Sequence, residues 1–167
     1  HRRYKRVGGE LRVANVRGPL VVRYRFTTHA MADGLLPATA VVLVANGAGD
    51  ARSRELPPNP VFADFMGRQL MPWLKAQGIA AGAERTVIAG SSYGGLASSY
   101  VALRYPQWFG NVLSLSGSYW WAPKGESPNW LARQYEQAPQ LPIRFYFDAG
   151  LYEGARGGQA GIRETSQ

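Results

Sequence analysis

Short apolar runs of strand length alternate with longer helix-patterned segments along most of this chain, and no other feature constrains its fold as tightly. Strand, helix and strand in succession are the pattern of a parallel sheet covered by helices, so the expected fold class is α/β. Ala40–Ala45 (AVVLVA) is a continuous β-branched run, as expected of a strand buried on both faces. The turn chemistry of Asn46-Gly47-Ala48-Gly49-Asp50 follows, and then a stretch rich in Arg and Pro that reads as a loop. Asn59 before Pro60 reads as a helix N-cap with proline in the first turn. Phe62, Phe65, Met66, Leu70, Trp73 and Leu74 then recur at helical spacing, an aromatic and methionine stripe that belongs in a core. Pro72 should kink or break that helix, and Gly78 should stop it. Residues 86–89 (TVIA) read as a second buried strand, residues 96–105 as a helix ended by Pro106, and residues 112–115 and 143–147 as further strands.

Composition narrows the classes. A length of 167 residues suits one globular domain, and 46% hydrophobic residues suffice for a sizeable core. Only 18% of residues are charged, while 20 Gly and 11 Pro punctuate the chain, a mix that excludes disorder and coiled coil. No apolar run approaches the ~18 residues that span a bilayer, and the basic start HRRYKRVGGE lacks the apolar stretch of a signal peptide. No membrane partner is therefore expected, and the cytoplasm is the expected compartment. The absence of Cys excludes disulfides, thiolate metal sites and cysteine nucleophiles. Neither a metal-ligand set nor a phosphate-cradling loop is present, so no cofactor and no metal are expected.

The formal charge of +8 invites a nucleic-acid reading, but its distribution argues against one. Residues 1–30 hold eight Lys or Arg and one acid, whereas residues 31–167 hold eleven and ten. The basicity belongs to the first segment, which has one strand-like run, Leu20–Phe26, and neither an aromatic-rich RNA motif nor a groove-reading helix. Nucleic acid is not an expected partner. Residues 1–30 are read as an atypical basic segment.

The chemistry begins at Gly90-Ser91-Ser92-Tyr93-Gly94-Gly95, a Gly-x-Ser-x-Gly centred on Ser92 between an expected strand and an expected helix. This is the context of a nucleophile elbow. A serine on so sharp a turn leaves no room for bulky neighbours two positions away, which accounts for Gly90 and Gly94, while Gly95 lets helix and strand approach closely. The turn lifts the Ser92 hydroxyl above the sheet edge and sets the Tyr93 backbone N–H at a helix N-terminus, where it can stabilise an oxyanion. Acyl transfer is the implied reaction class. Asp148 and Glu153 both follow the strand of residues 143–147, at the carboxyl edge where open α/β sheets bind ligands. Gly117-Ser118-Tyr119-Trp120-Trp121 follows another strand on that edge, so Tyr119, Trp120 and Trp121 are candidates for a flat aromatic wall.

Residues 84–121 (ERTVIAGSSYGGLASSYVALRYPQWFGNVLSLSGSYWW) resemble the core of the enterochelin (enterobactin) esterases and the wider esterase-D-like esterases of the α/β-hydrolase superfamily. The segment RELPPN, residues 54–59, and the segment FDAGLYE, residues 147–153, resemble further parts of that family, so the likeness covers roughly residues 31–167. It implies a partial α/β-hydrolase domain there, with a mostly parallel sheet and flanking helices. It also implies a serine carboxylic-ester hydrolase, with Ser92 as nucleophile, Glu153 as the acid and Asp148 as its runner-up. The implied substrate is a small-molecule ester, a ferric catecholate siderophore, whose rings would stack on Tyr119, Trp120 and Trp121 and whose charge would meet Arg52 or Arg54. The likeness fixes no oligomeric state. Feruloyl, acetyl-sugar and acyl-transfer chemistries share the elbow.

Histidine departs from the family pattern. The order Ser, acid, His requires a histidine after the acid, and the two histidines here, His1 and His29, both precede Ser92. The sequence therefore reads as a fragment lacking the triad histidine, with a non-catalytic binding module or an inactive fragment as the rival reading, and His29 reads as an ordinary loop residue.

Overall fold

The computed structural model describes residues 8–13, 20–26, 37, 39–79, 81–154, 161 and 165, the first two stretches by their backbone alone. The chain divides into two compact units, His1–Arg52 and Ser53–Gln167.

In the first unit, β1 (Gly8–Val13), β2 (Leu20–Phe26) and β3 (Ala40–Ala45) form an antiparallel sheet in that order. Val13 pairs with Leu20, and Val21 with Ala45. Ala40–Ala45 is a strand as its composition requires, but it is not buried on both faces, since Leu43 is 59% exposed. A strand in an antiparallel ladder needs only one covered face. Gly49, at φ +67, turns the chain after β3.

Where a loop was expected, Ala51–Glu55 makes one short helix, α1. Ala, Arg and Glu are good helix formers, and Pro57-Pro58 ends what they begin.

The second unit opens on α2 (Pro60–Asp64), capped by Asn59, whose Oδ1 accepts hydrogen bonds from the N–H of Val61 at 2.9 Å and of Phe62 at 3.4 Å. The helix widens to a π turn over Phe65–Leu70 and resumes as α3 (Met71–Ala76). This is how the chain absorbs Pro72. The proline has no N–H and crowds the carbonyl four residues back, and the wider turn, in which the Met71 N–H reaches Met66 O, relieves that crowding. Gly78, at φ +71, closes the helix as expected, with the Ile79 N–H bonded to Leu74 O at 2.9 Å.

A parallel sheet follows, with β4 (Val87–Ser91), β5 (Asn111–Leu115) and β6 (Arg144–Asp148) side by side in sequence order. Helix α4 (Tyr93–Arg104) connects β4 to β5, and α5 (Trp130–Gln137), not foreseen in the sequence, lies between β5 and β6. The expectation of a buried strand at residues 86–89 is corrected here. Ile88 is buried but Val87 is 57% exposed, because α4 covers one face of the sheet among the described residues. The core centres on α4, with Leu96 and Val101 fully buried beside Phe65 and Leu70 from the π turn and Leu131 from α5.

A polar cluster ties α2 and the π turn to α4. Asp64 accepts hydrogen bonds from Tyr105 Oη at 2.6 Å and from Arg104 at 3.0 Å, and Arg68 donates to Tyr105 Oη at 2.9 Å. Those bonds, that of Tyr105 first, hold the Asp64 carboxyl below its usual range. A carboxyl lowered by folding adds stability that is full above its unfolded titration range and lost as pH falls through the folded one. Asp64→Asn should therefore cost about 1 kcal/mol or less near neutral pH, the pair being partly in water. Thermal melts from neutral to acid pH should show a shallower decline than in the parent.

Candidate active site

The register of the parallel sheet sets the site. Ser91, Leu115 and Asp148 are aligned partners across β4, β5 and β6, so all three strands end in one row, and the segments after them emerge at one edge. Ser92, Ser116 to Tyr119, and Ala149 to Glu153 are those segments.

Ser92 stands at the turn between β4 and α4 with φ 57 and ψ −122, a conformation non-glycine residues rarely adopt. The turn is pinned on several sides. The Ser92 N–H donates to Leu115 O at 2.9 Å, and its carbonyl accepts from the N–H groups of Gly95, Leu96 and Ser118 at 3.0, 3.2 and 3.2 Å. Its hydroxyl lies 3.2 Å from the Ser118 hydroxyl, which is buried. Tyr93 is the first residue of α4, so its backbone belongs to the helix N-terminus as expected.

The glycines divide the steric work differently from the expectation. A Cβ on Gly90 would run into the backbone of Gly94, and one on Gly95 would strike Ser114 Oγ and come within 3.2 Å of Gly117 Cα. A Cβ on Gly94 would meet nothing within 4 Å. Gly90 and Gly95 are thus required by close packing, but Gly94 is not, because the space beside it is open.

Of the two candidate acids, Glu153 is the one drawn to the neighbouring strand end. Its Oε2 accepts from Ser116 Oγ and from the Gly150 N–H, both at 2.7 Å, and its own N–H returns to Gly150 O at 3.0 Å. The Ser116 bond first, then that of Gly150, holds the carboxyl below its ordinary range. Asp148 ends β6, exposed, with its carbonyl accepting from the Ser116 N–H at 2.6 Å. Both acids therefore lie at the same strand-end row as Ser92, as expected.

The aromatic residues separate into two environments. Trp120 is 40% exposed, with its ring tilted against that of Tyr93 at 6.0 Å. Trp121 packs edge-on against Trp130. Tyr119 is buried, bonded to Ser99 Oγ at 2.6 Å and edge-on to Phe147, and burial pushes its phenol up. It borders a mostly apolar cavity of about 340 Å³, shared with Leu131, Tyr135, Phe145 and Phe147. Arg52 and Arg54 stand exposed on α1, Arg52 in the first unit and Arg54 in the second. Among the described residues, no group of three or more His, Asp or Glu is placed to hold a metal.

The strand-end row thus combines a strained serine after a strand, a helix N-terminus beside it, and a fixed carboxylate. Residues 23–162 match the model of the family described as "Putative esterase". The chain belongs to this esterase family.

The chain is 36% identical over 122 residues to the iron(III) enterobactin esterase of Escherichia coli (strain K12), and 43% identical over 122 residues to that of Escherichia coli O6:H1. Each match covers 71% of the chain and 30% of the relative, so the chain spans about a third of their length. A crystal structure of the enterobactin esterase from Shigella flexneri in the presence of 2,3-di-hydroxy-N-benzoyl-serine is similar over 83% of the chain and 45% of that protein, with a TM-score of 0.69 and 26% identity. The fold is accordingly of the α/β-hydrolase type. No helix among the described residues is long and apolar enough to cross a membrane.

Neither Ser116 nor Ser118 has a sequence motif of its own that marks it. The signal was present in Ser114-Leu115-Ser116-Gly117-Ser118, a run of small polar residues leaving a strand on the same edge as Ser92.

Proposed function

We propose that this chain carries the nucleophile and the acid of a serine esterase that cleaves catecholate siderophore esters in the cytoplasm. The observation that carries the reading is Ser92 itself, held at φ 57 and ψ −122 between a parallel strand and a helix in a chain of an esterase family. That geometry suits a nucleophile elbow.

In this reading the Ser92 hydroxyl oxygen attacks the ester carbonyl and gives up its proton to a general base. The resulting oxyanion accepts a hydrogen bond from the Tyr93 N–H at the helix N-terminus. The alcohol leaves with that proton, and an acyl-serine remains. Water then attacks the acyl carbon, a proton passes by the same base back to the Ser92 oxygen, and the free acid departs. Glu153 orients the base, an imidazole. The chain's two histidines, His1 and His29, lie outside the described residues.

The catecholate reading draws on the curated relatives, both iron(III) enterobactin esterases. It suits the half-exposed Trp120 beside Tyr93, a surface on which a catechol ring stacks. The guanidinium of Arg54, in the same unit as Ser92, supplies positive charge for a negatively charged ferric catecholate.

The test is incubation with a ferric tricatecholate serine lactone, alongside a feruloyl ester and an aryl acetate, with products read by mass spectrometry. Preferential release of linear dihydroxybenzoyl-serine products is expected once a general base serves the site. Equal cleavage of all three esters would assign a broader esterase, and tight lactone binding without cleavage would assign a binding module.

A further inference from the structure

We infer that Ser116 is a positioning residue, a serine kept in a strained turn so that its hydroxyl fixes the Glu153 carboxylate at the strand-end row that carries Ser92. The inference rests on the esterase reading above, in which Glu153 is the acid.

Ser116 follows β5 with φ 49, in the left-handed region that glycine enters without cost and other residues rarely do. Gly117, the next residue, does not have positive φ. It is glycine for another reason, since a Cβ there would strike Ser114 Oγ and the Tyr119 ring. The conformation that favours glycine thus falls on a serine, and the adjacent glycine serves close packing. What the serine supplies is its hydroxyl, which donates to Glu153 Oε2 at 2.7 Å.

The turn is anchored for that task. The Ser116 N–H is bonded to Asp148 O at 2.6 Å, joining the end of β5 to the end of β6, and Leu115, one residue earlier, accepts the Ser92 N–H at 2.9 Å. One short segment therefore touches the backbone of the serine turn on one side and the carboxylate on the other. Both bonds to Glu153 from the described residues, those of Ser116 and Gly150, fall on Oε2. Oε1 is thereby left to receive the N–H of a base. The same two bonds favour the ionised carboxyl, which a group that stabilises an imidazolium must be.

A purely structural serine and a positioning serine predict different outcomes at this position. Ser116→Gly relieves the backbone and deletes the hydroxyl, whereas Ser116→Ala deletes the hydroxyl and keeps the strain. On the full chain, the titration of Glu153 is followed by carbon NMR of its carboxyl, with Asp148 as the neighbouring reference, and turnover of an aryl ester is measured beside it with free imidazole supplied as the general base. Both variants should move the Glu153 midpoint upward and lower kcat about tenfold with KM within twofold, while Ser116→Gly melts at or above the parent temperature. An unmoved Glu153 titration, or an unchanged kcat, in a folded Ser116→Gly protein would overturn the inference. Turnover that survives Ser92→Ala would instead overturn the esterase reading, and the two failures are thereby separated.

Discussion

Replacing Ser92 with alanine is expected to lower ester hydrolysis by about 10³-fold or more once a general base serves the site, leaving only the residual acceleration that the oxyanion donor and substrate binding supply. The reason is geometric. Ser92 is the residue that the turn after β4 sets at the end of the sheet, with a helix N-terminus beside it. Alanine accepts the same strained backbone no worse than serine does, so the fold should survive. The cost falls on Ser118, whose buried hydroxyl loses the partner at 3.2 Å. That should lower stability by about 1 kcal/mol, or roughly 2–4 °C in the melting temperature. Activity lost with so small a change in stability separates a chemical role from a structural one.

The second large effect concerns the two glycines flanking the serine, which are equivalent in the motif and different in the structure. Gly90→Ala sets a Cβ against the backbone of Gly94, 2.8 Å from its Cα, where no side chain can rotate away. The turn must open or β4 must shift, at an expected cost of about 3 kcal/mol. Gly94→Ala meets nothing within 4 Å and lies inside helix α4, where alanine is the better helix former. It should be neutral or stabilising by up to about 1 kcal/mol. Denaturant melts of the two variants decide the matter, and equal destabilisation by both would mean that the turn is packed otherwise.

The parallel half of the fold was legible because its signals are local. A β-branched run, a Gly-rich turn and a proline-terminated helix at residues 86–106 specify strand, turn and helix without reference to distant partners. The Asn59 cap and the Gly78 stop were legible for the same reason. Strand environment was not, because burial depends on what covers a strand. Val41, Val42 and Val44 in β3 suit a one-sided antiparallel ladder as well as a buried parallel strand. Helix α5 escaped notice because Trp130–Gln137 is short and follows Asn129 in a left-handed conformation rather than a conventional cap.

At the site, Ser92 announced itself through flanking glycines, and Glu153 through its resemblance to a family motif. Ser116 and Ser118 could not be read in the same way. A serine in a loop is commonplace, and only the alignment of Leu115 with Ser91 and Asp148 turns these two into neighbours of Ser92 and Glu153.

The most direct test of the central claim is covalent trapping. The folded chain is treated with a fluorophosphonate, and the modified peptide is identified by mass spectrometry beside a Ser92→Ala control. A single phosphonyl adduct on Ser92, absent from the control, is the predicted result. A folded chain whose adduct sits on Ser116 or Ser118 instead would contradict the assignment of Ser92 as the nucleophile.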